Sequence, residues 1–134
     1  MVLFPRGSSL GLFGTFGRSS DLRQLDDALR AVDVHPKLVP EAVKLTVMKL
    51  LKEDFGEELP PAAYERSAEL LCYCVVGANG FANANGEEAT RAIETRIETS
   101  LISGRNLDAR LMLLALHAKI IQPSVVETFG LEST

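Results

Sequence analysis

Length, composition and charge exclude several classes of protein before any motif is considered. A chain of 134 residues with 46% hydrophobic and 24% charged residues is typical of one globular domain. Its net charge of −4 speaks against nonspecific nucleic-acid binding, which requires concentrated Lys and Arg. No apolar run approaches the roughly 18 residues of a membrane span. We therefore expect a single domain over residues 1–134, with no membrane span and no nucleic-acid partner.

Glycine and large hydrophobic residues dominate the first nineteen positions. Glycine disfavours a helix here, and apolar side chains disfavour a freely disordered tail. The composition therefore predicts that 1–19 is an extended arm, whose apolar side chains pack into a groove on its own helices or on a second subunit. The predicted interface residues of this arm are Phe4, Leu12, Phe13 and Phe16.

Four amphipathic helices are predicted after the arm. Each carries apolar residues at spacings of three and four, which place them on one face of a helix. Ser20 is a suitable N-cap for the first, and prolines stand near the starts of the second and third. The predicted helices cover 20–32, 41–54, 61–78 and 87–103. The uncharged second half of the third helix is expected to lie in the core.

Cys72 and Cys74 lie in that uncharged half. Two residues apart on a helix, their side chains project about 200° from each other, so they cannot share a metal or form an unstrained bridge. We interpret them as buried small hydrophobic residues in a reducing compartment, which predicts a cytoplasmic location.

The segment ANGFANANGEE, residues 78–88, contains two Asn-Gly pairs that predict turns. A calcium loop with Gly86 as its glycine would place Phe81, Asn83 and Asn85 at ligand positions, where carboxylates are needed. The segment is therefore predicted to be a structural loop without a metal. The order of an apolar helix, this loop and then glutamates resembles helical proteins of the tellurite-resistance TerB type. The resemblance covers about thirty of the 134 residues. That family carries aspartate where this chain has Asn79, so the charge that would hold a metal is absent.

The most apolar helix is predicted over 107–121. Asn106 is a fair N-cap, and Pro123 follows the far end. Leu111 and Leu114 belong to one apolar face, and Met112, Leu113, Leu116 and Ile120 to a roughly opposite one. A helix with two apolar faces needs cover on both, so we expect it to be the centre of the fold.

With a short last helix after Pro123, the sequence predicts an all-α protein. About six helices form a compact bundle of stacked pairs around the buried helix 107–121. A short α–α superhelix is the alternative architecture.

Function is less strongly indicated than fold. No catalytic motif is present and the two histidines lie in different segments, so neither an enzyme, a metal nor a cofactor is predicted. We expect a small cytosolic helical protein that acts through protein–protein contacts as a homodimer. The alternative is a ligand-binding or enzymatic helical domain with a pocket near His117 and the Asn79–Gly86 loop. Its ligand-binding residues would be His117, Arg110, Asn79, Asn83 and Asn85.

Overall fold

The computed structural model describes residues 12–131, with side chains from residue 20 onward. This part of the chain is all-helical, without a strand, which confirms the predicted fold class. A 3₁₀ turn over Pro36–Leu38 joins the first two helices. The helices are α1 (Leu12–Ala31), α2 (Glu41–Phe55), α3 (Pro61–Asn85), α4 (Glu87–Ser103), α5 (Leu107–Ala118) and α6 (Pro123–Phe129). No helix in this described part is long and apolar enough to cross a membrane.

The first helix begins earlier than predicted. It starts at Leu12 rather than Ser20, so the prediction of an extended arm is wrong for residues 12–19. A helix that already exists over 20–31 can be extended without a new nucleus, and each glycine opposes the extension by only about 1 kcal/mol. Residues 1–11 lie outside the described residues, and the prediction for them stays a prediction.

The third helix is broken at Gly77, and the predicted loop over 78–88 is wrong. Residues 78–85 are helical, and only Gly77 leaves the helical region, with φ 82° and ψ 174°. That conformation is essentially restricted to glycine, so the chain turns at one residue and then resumes a helix. Gly86 takes a similar conformation, with φ 92° and ψ 164°, and ends the second part of α3.

The linker between α5 and α6 caps the first part of α3. The Gln122 backbone N–H donates to the carbonyl of Cys74 at 2.8 Å, and its Nε2 donates to the carbonyl of Val75, also at 2.8 Å. Both carbonyls lie in the last turn before Gly77, where the break removes their helical partners. Gln122 replaces those partners and brings the start of α6 against the break.

The core is centred on α3 more than on α5. The helix α3 packs against α1, α4, α5 and α6, whereas α5 packs against α2, α3 and α4. As predicted, the uncharged half of α3 lies beside α5, with Cys74 Sγ 3.5 Å from Met112 Sδ. The predicted bundle is confirmed. The helix α5 ends at Ala118, three residues early, because Lys119 takes the left-handed conformation with φ 60°.

A partly buried ion network ties three helices together. From α4, Arg96 Nη2 donates to Asp108 Oδ1 of α5 at 2.9 Å, and Nε donates to Oδ2 at 3.1 Å. Its Nη1 donates to Glu69 Oε1 of α3 at 3.2 Å. Paired donation of this kind fixes geometry as well as adding energy. The network therefore holds α4 and α5 in register against α3.

Candidate interaction surface

The hairpin formed by α4 and α5 carries the most distinctive surface of the described chain. Gly104, with φ 69°, ends α4 in the left-handed conformation. Asn106 Oδ1 then accepts a hydrogen bond from the Ala109 N–H at 2.8 Å and caps the start of α5. Because the connection is so short, the two helices are neighbours, and a groove runs between them.

This groove encloses about 190 Å³ and has no charged side chain in its lining. We name it the apolar groove. It is formed by the end of α4, one face of α5 and Leu131, which lies two residues after the end of α6. Its lining residues are Ser100, Leu101, Gly104, Ala109, Met112, Leu113, Leu116 and Leu131.

Three large hydrophobic side chains at this hairpin remain exposed to solvent. The exposed fraction is 89% for Ile102, 51% for Leu113 and 42% for Leu101. On α5, Met112 and Leu116 are buried. These two residues of the second apolar face are therefore covered by other parts of the protein, as expected. Leu113 belongs to the same face but has no such cover. The uncovered side chains are therefore concentrated where α4 and α5 meet.

Sequence reasoning did not single out Leu101, Ile102 and Leu113 as functional residues. One signal was available. Ile102 lies one residue past Leu101, the last member of the α4 apolar stripe, and one residue rotates a helix by about 100°. A large apolar residue beside a stripe, rather than on it, is expected to project into solvent.

The residues predicted to bind a ligand on α5 have separate surroundings. Arg110 Nη2 donates to Asp54 Oδ1 at 3.1 Å, and its Nη1 donates to Glu53 Oε1 at 3.4 Å. Arg110 thus joins α5 to the end of α2. His117 is exposed in the last turn of α5, about two turns further along the helix.

The three asparagines predicted to bind a ligand lie in the second part of α3 instead of a loop. Asn79 and Asn83 are exposed, and Asn85 Nδ2 donates to the Phe81 carbonyl at 3.3 Å. Within residues 20–131, no hydrogen bond joins any two of the five predicted ligand-binding residues. Their role in binding stays a prediction.

The predicted interface residues of the arm also remain a prediction. Phe4 lies outside the described residues. Leu12, Phe13 and Phe16 lie in the first turns of α1, in the part of that helix for which only the backbone is described.

The two cysteines are buried and free, as predicted from the sequence. Burial raises the pKa of the Cys72 thiol to about 11 and that of the Cys74 thiol to about 12. Thiols with such values are protonated at neutral pH and are poor nucleophiles. In the described part of the chain, no three His, Cys, Asp or Glu side chains are grouped so as to hold a metal.

A tyrosine beside these cysteines is held by α4. The Tyr73 hydroxyl donates to Glu94 Oε2 at 2.7 Å, and burial and this carboxylate raise the Tyr73 pKa above its ordinary value. The Tyr73 ring meets the rings of Phe81 and Phe129 edge to face, with centroids 5.7 and 6.2 Å away. These contacts are those of a core residue that anchors α6.

Comparison with known proteins adds no further assignment: no protein-family model, curated protein or solved structure matches this chain. Any conclusion about function therefore depends on the surface that the chain itself presents.

Proposed function

We propose that this protein acts through protein–protein contacts made by the apolar groove and that it self-associates as a homodimer. The observation that supports the proposal is the apolar groove at the α4–α5 hairpin. It has no charged side chain in its lining, it exposes Leu101 and Leu113, and the exposed Ile102 lies beside it. Hydrophobic side chains exposed singly are ordinary, whereas a contiguous apolar patch is typical of an interaction site.

Charge favours this surface for contact with a second copy. Each chain carries a net charge of −4, so two copies repel each other over most approaches. An approach through a face without charged lining residues brings the fewest like charges together. The same net charge argues against a nucleic-acid partner.

The size of the exposed patch sets the strength of the proposed contact. The exposed fractions of Leu101, Ile102 and Leu113 amount to about two complete side chains per copy. Burying them on both copies contributes roughly 6–12 kcal/mol. Association opposes this with roughly 4–15 kcal/mol of lost freedom. Because gain and loss are of the same size, we expect a dimer that dissociates on dilution.

A cytosolic location is part of the proposal. It is supported by Cys72 and Cys74, which are free and buried. Unpaired cysteines are ordinary in a reducing compartment and unusual in secreted domains of this size.

The test compares two leucines of nearly equal exposure. Leu113 is 51% exposed on the apolar groove, and Leu38 is 53% exposed on the 3₁₀ turn between α1 and α2. Sedimentation velocity over a dilution series should show the wild type and Leu38→Glu dimerising at the same concentrations. Leu113→Glu should remain monomeric there, with an unchanged circular dichroism spectrum. A wild type that stays monomeric throughout, or equal behaviour of the two variants, would overturn the proposal.

A further inference from the structure

The most exposed large hydrophobic side chain in the described chain is Ile102, at 89%. Its neighbour Leu101 lines the apolar groove, but one residue rotates a helix by about 100°, so Ile102 projects away from the groove of its own chain. The molecule therefore presents an aliphatic side chain and, next to it, an uncharged groove that this side chain cannot fill. A surface that carries both a projection and a groove suits an isologous contact, in which each copy supplies both.

Two charged residues flank Ile102 along the chain. Glu98 precedes it by one helical turn, and Arg105 follows it by three residues. Both are exposed, and neither takes part in an ion pair within the part of the chain whose side chains are described. Glu98 lies on α4 itself, whereas Arg105 lies just beyond the C-terminus of α4, past the left-handed Gly104. When the C-terminal turns of two α4 helices cross antiparallel, the end of each helix, with its Arg105, is brought toward the Glu98 of the other.

We infer that the homodimer is two-fold symmetric and that its α4 C-terminal turns cross antiparallel. Ile102 of each copy enters the apolar groove of the partner, and Glu98 pairs with Arg105 of the partner subunit. This inference rests on the proposed self-association and adds its geometry. The groove of about 190 Å³ supplies the aliphatic contact, and the two reciprocal ion pairs set the direction of the helices.

A charge-exchange series tests the ion pairs. Glu98→Arg or Arg105→Glu alone places like charges opposite each other twice in the dimer and should raise the dissociation constant roughly tenfold. The double variant Glu98→Arg/Arg105→Glu should restore it to within about threefold of the wild type. Glu88→Arg, exposed at the far end of α4, is the matched control and should leave it unchanged. Single variants without effect, or a double variant that is not restored, would overturn the arrangement.

Cross-linking tests whether Ile102 lies in the apolar groove of the partner. The native thiols are buried, so an introduced cysteine is the only reactive one. Ile102→Cys protein mixed with Ala109→Cys protein should give a covalent heterodimer with a short bismaleimide, because Ala109 lines the groove. Absence of this product when both variants dimerise would refute the geometry and leave the proposed function intact. Failure of the wild type to dimerise at all would refute both.

Discussion

Replacing Gln122 tests whether the break in α3 depends on its cap. Gln122→Ala removes the hydrogen bond from Nε2 to the Val75 carbonyl and leaves the backbone bond to Cys74 in place. A single neutral hydrogen bond contributes about 1 kcal/mol. Because Gln122 is exposed and Val75 is half-buried, water replaces part of the lost hydrogen bond. We expect the free energy of unfolding to fall by about 1 kcal/mol and the Tm by about 4 °C.

Gln122→Glu makes the same test sensitive to pH. A carboxylate cannot donate to the Val75 carbonyl, and it lies at the negative C-terminal end of a helical segment. The folded state therefore raises the pKa of the new carboxyl above its ordinary value near 4.3. The stabilisation is present below that value, where the protonated carboxyl donates, and is lost as the pH rises through the folded pKa. At pH 7 the variant should be about 1–2 kcal/mol less stable than the wild type.

Urea denaturation followed by circular dichroism at pH 4 and pH 7 measures both variants. Gln24→Glu, at an exposed position on α1, introduces the same charge and should change the stability by no more than about 0.5 kcal/mol. Gln122→Ala should lose the same stability at both values of pH, whereas Gln122→Glu should recover at pH 4. If the free energies of unfolding of both Gln122 variants match that of Gln24→Glu at pH 4 and at pH 7, the Gln122 side chain does not cap α3.

Two further predictions concern the core around α5. Below pH 9 the Cys74 thiol is protonated in both the folded and the unfolded state. Between pH 9 and about 12 it ionises only in the unfolded state. The free energy of unfolding should therefore fall over this range, by about 3 kcal/mol at pH 11. Alkaline urea denaturation should show a smaller fall for Cys74→Ala, and equal slopes would contradict the assignment. Leu111→Asp should prevent folding, because Leu111 is 1% exposed and an unpaired buried carboxylate opposes folding by several kcal/mol. Leu114→Asp changes a half-buried position and should still unfold cooperatively on heating. If Leu114→Asp also fails to fold, Leu114 is buried as deeply as Leu111.

Local sequence patterns were sufficient for most of the helices but not for the start of α1 or for the position of the break in α3. The apolar stripes predict α2 and α4, and the prolines mark helix starts, because those signals act within one turn of the chain. The Asn79-Gly80 pair predicts a turn by local chemistry, yet the chain turns two residues earlier, at Gly77. At Gly77 the two preceding carbonyls accept hydrogen bonds from Gln122, which is remote in sequence. Tertiary hydrogen bonding therefore overrides the local signal.

The interaction surface is harder to predict for a related reason. The apolar pattern of α5 correctly indicates two faces that disfavour water, but it does not say which neighbouring helix covers them. Leu116 is buried and Leu113 is 51% exposed, although both were assigned to the same face. Their difference follows from where α4 and the end of the chain lie, which is a property of the whole bundle.

The break in α3 also helps to explain why the apolar groove stays open. Gln122 holds the start of α6 at Gly77, and the Phe129 ring then packs against Tyr73 of α3. With Val125 buried and Phe129 half-buried, α6 packs mainly against α3, and among the residues from 119 to 131 only Leu131 lines the groove. The hydrogen bonds of Gln122 and the contact of Phe129 thus both hold α6, the last helix, against α3. The hairpin is left with exposed apolar side chains, and a second copy of the chain is the cover that we propose.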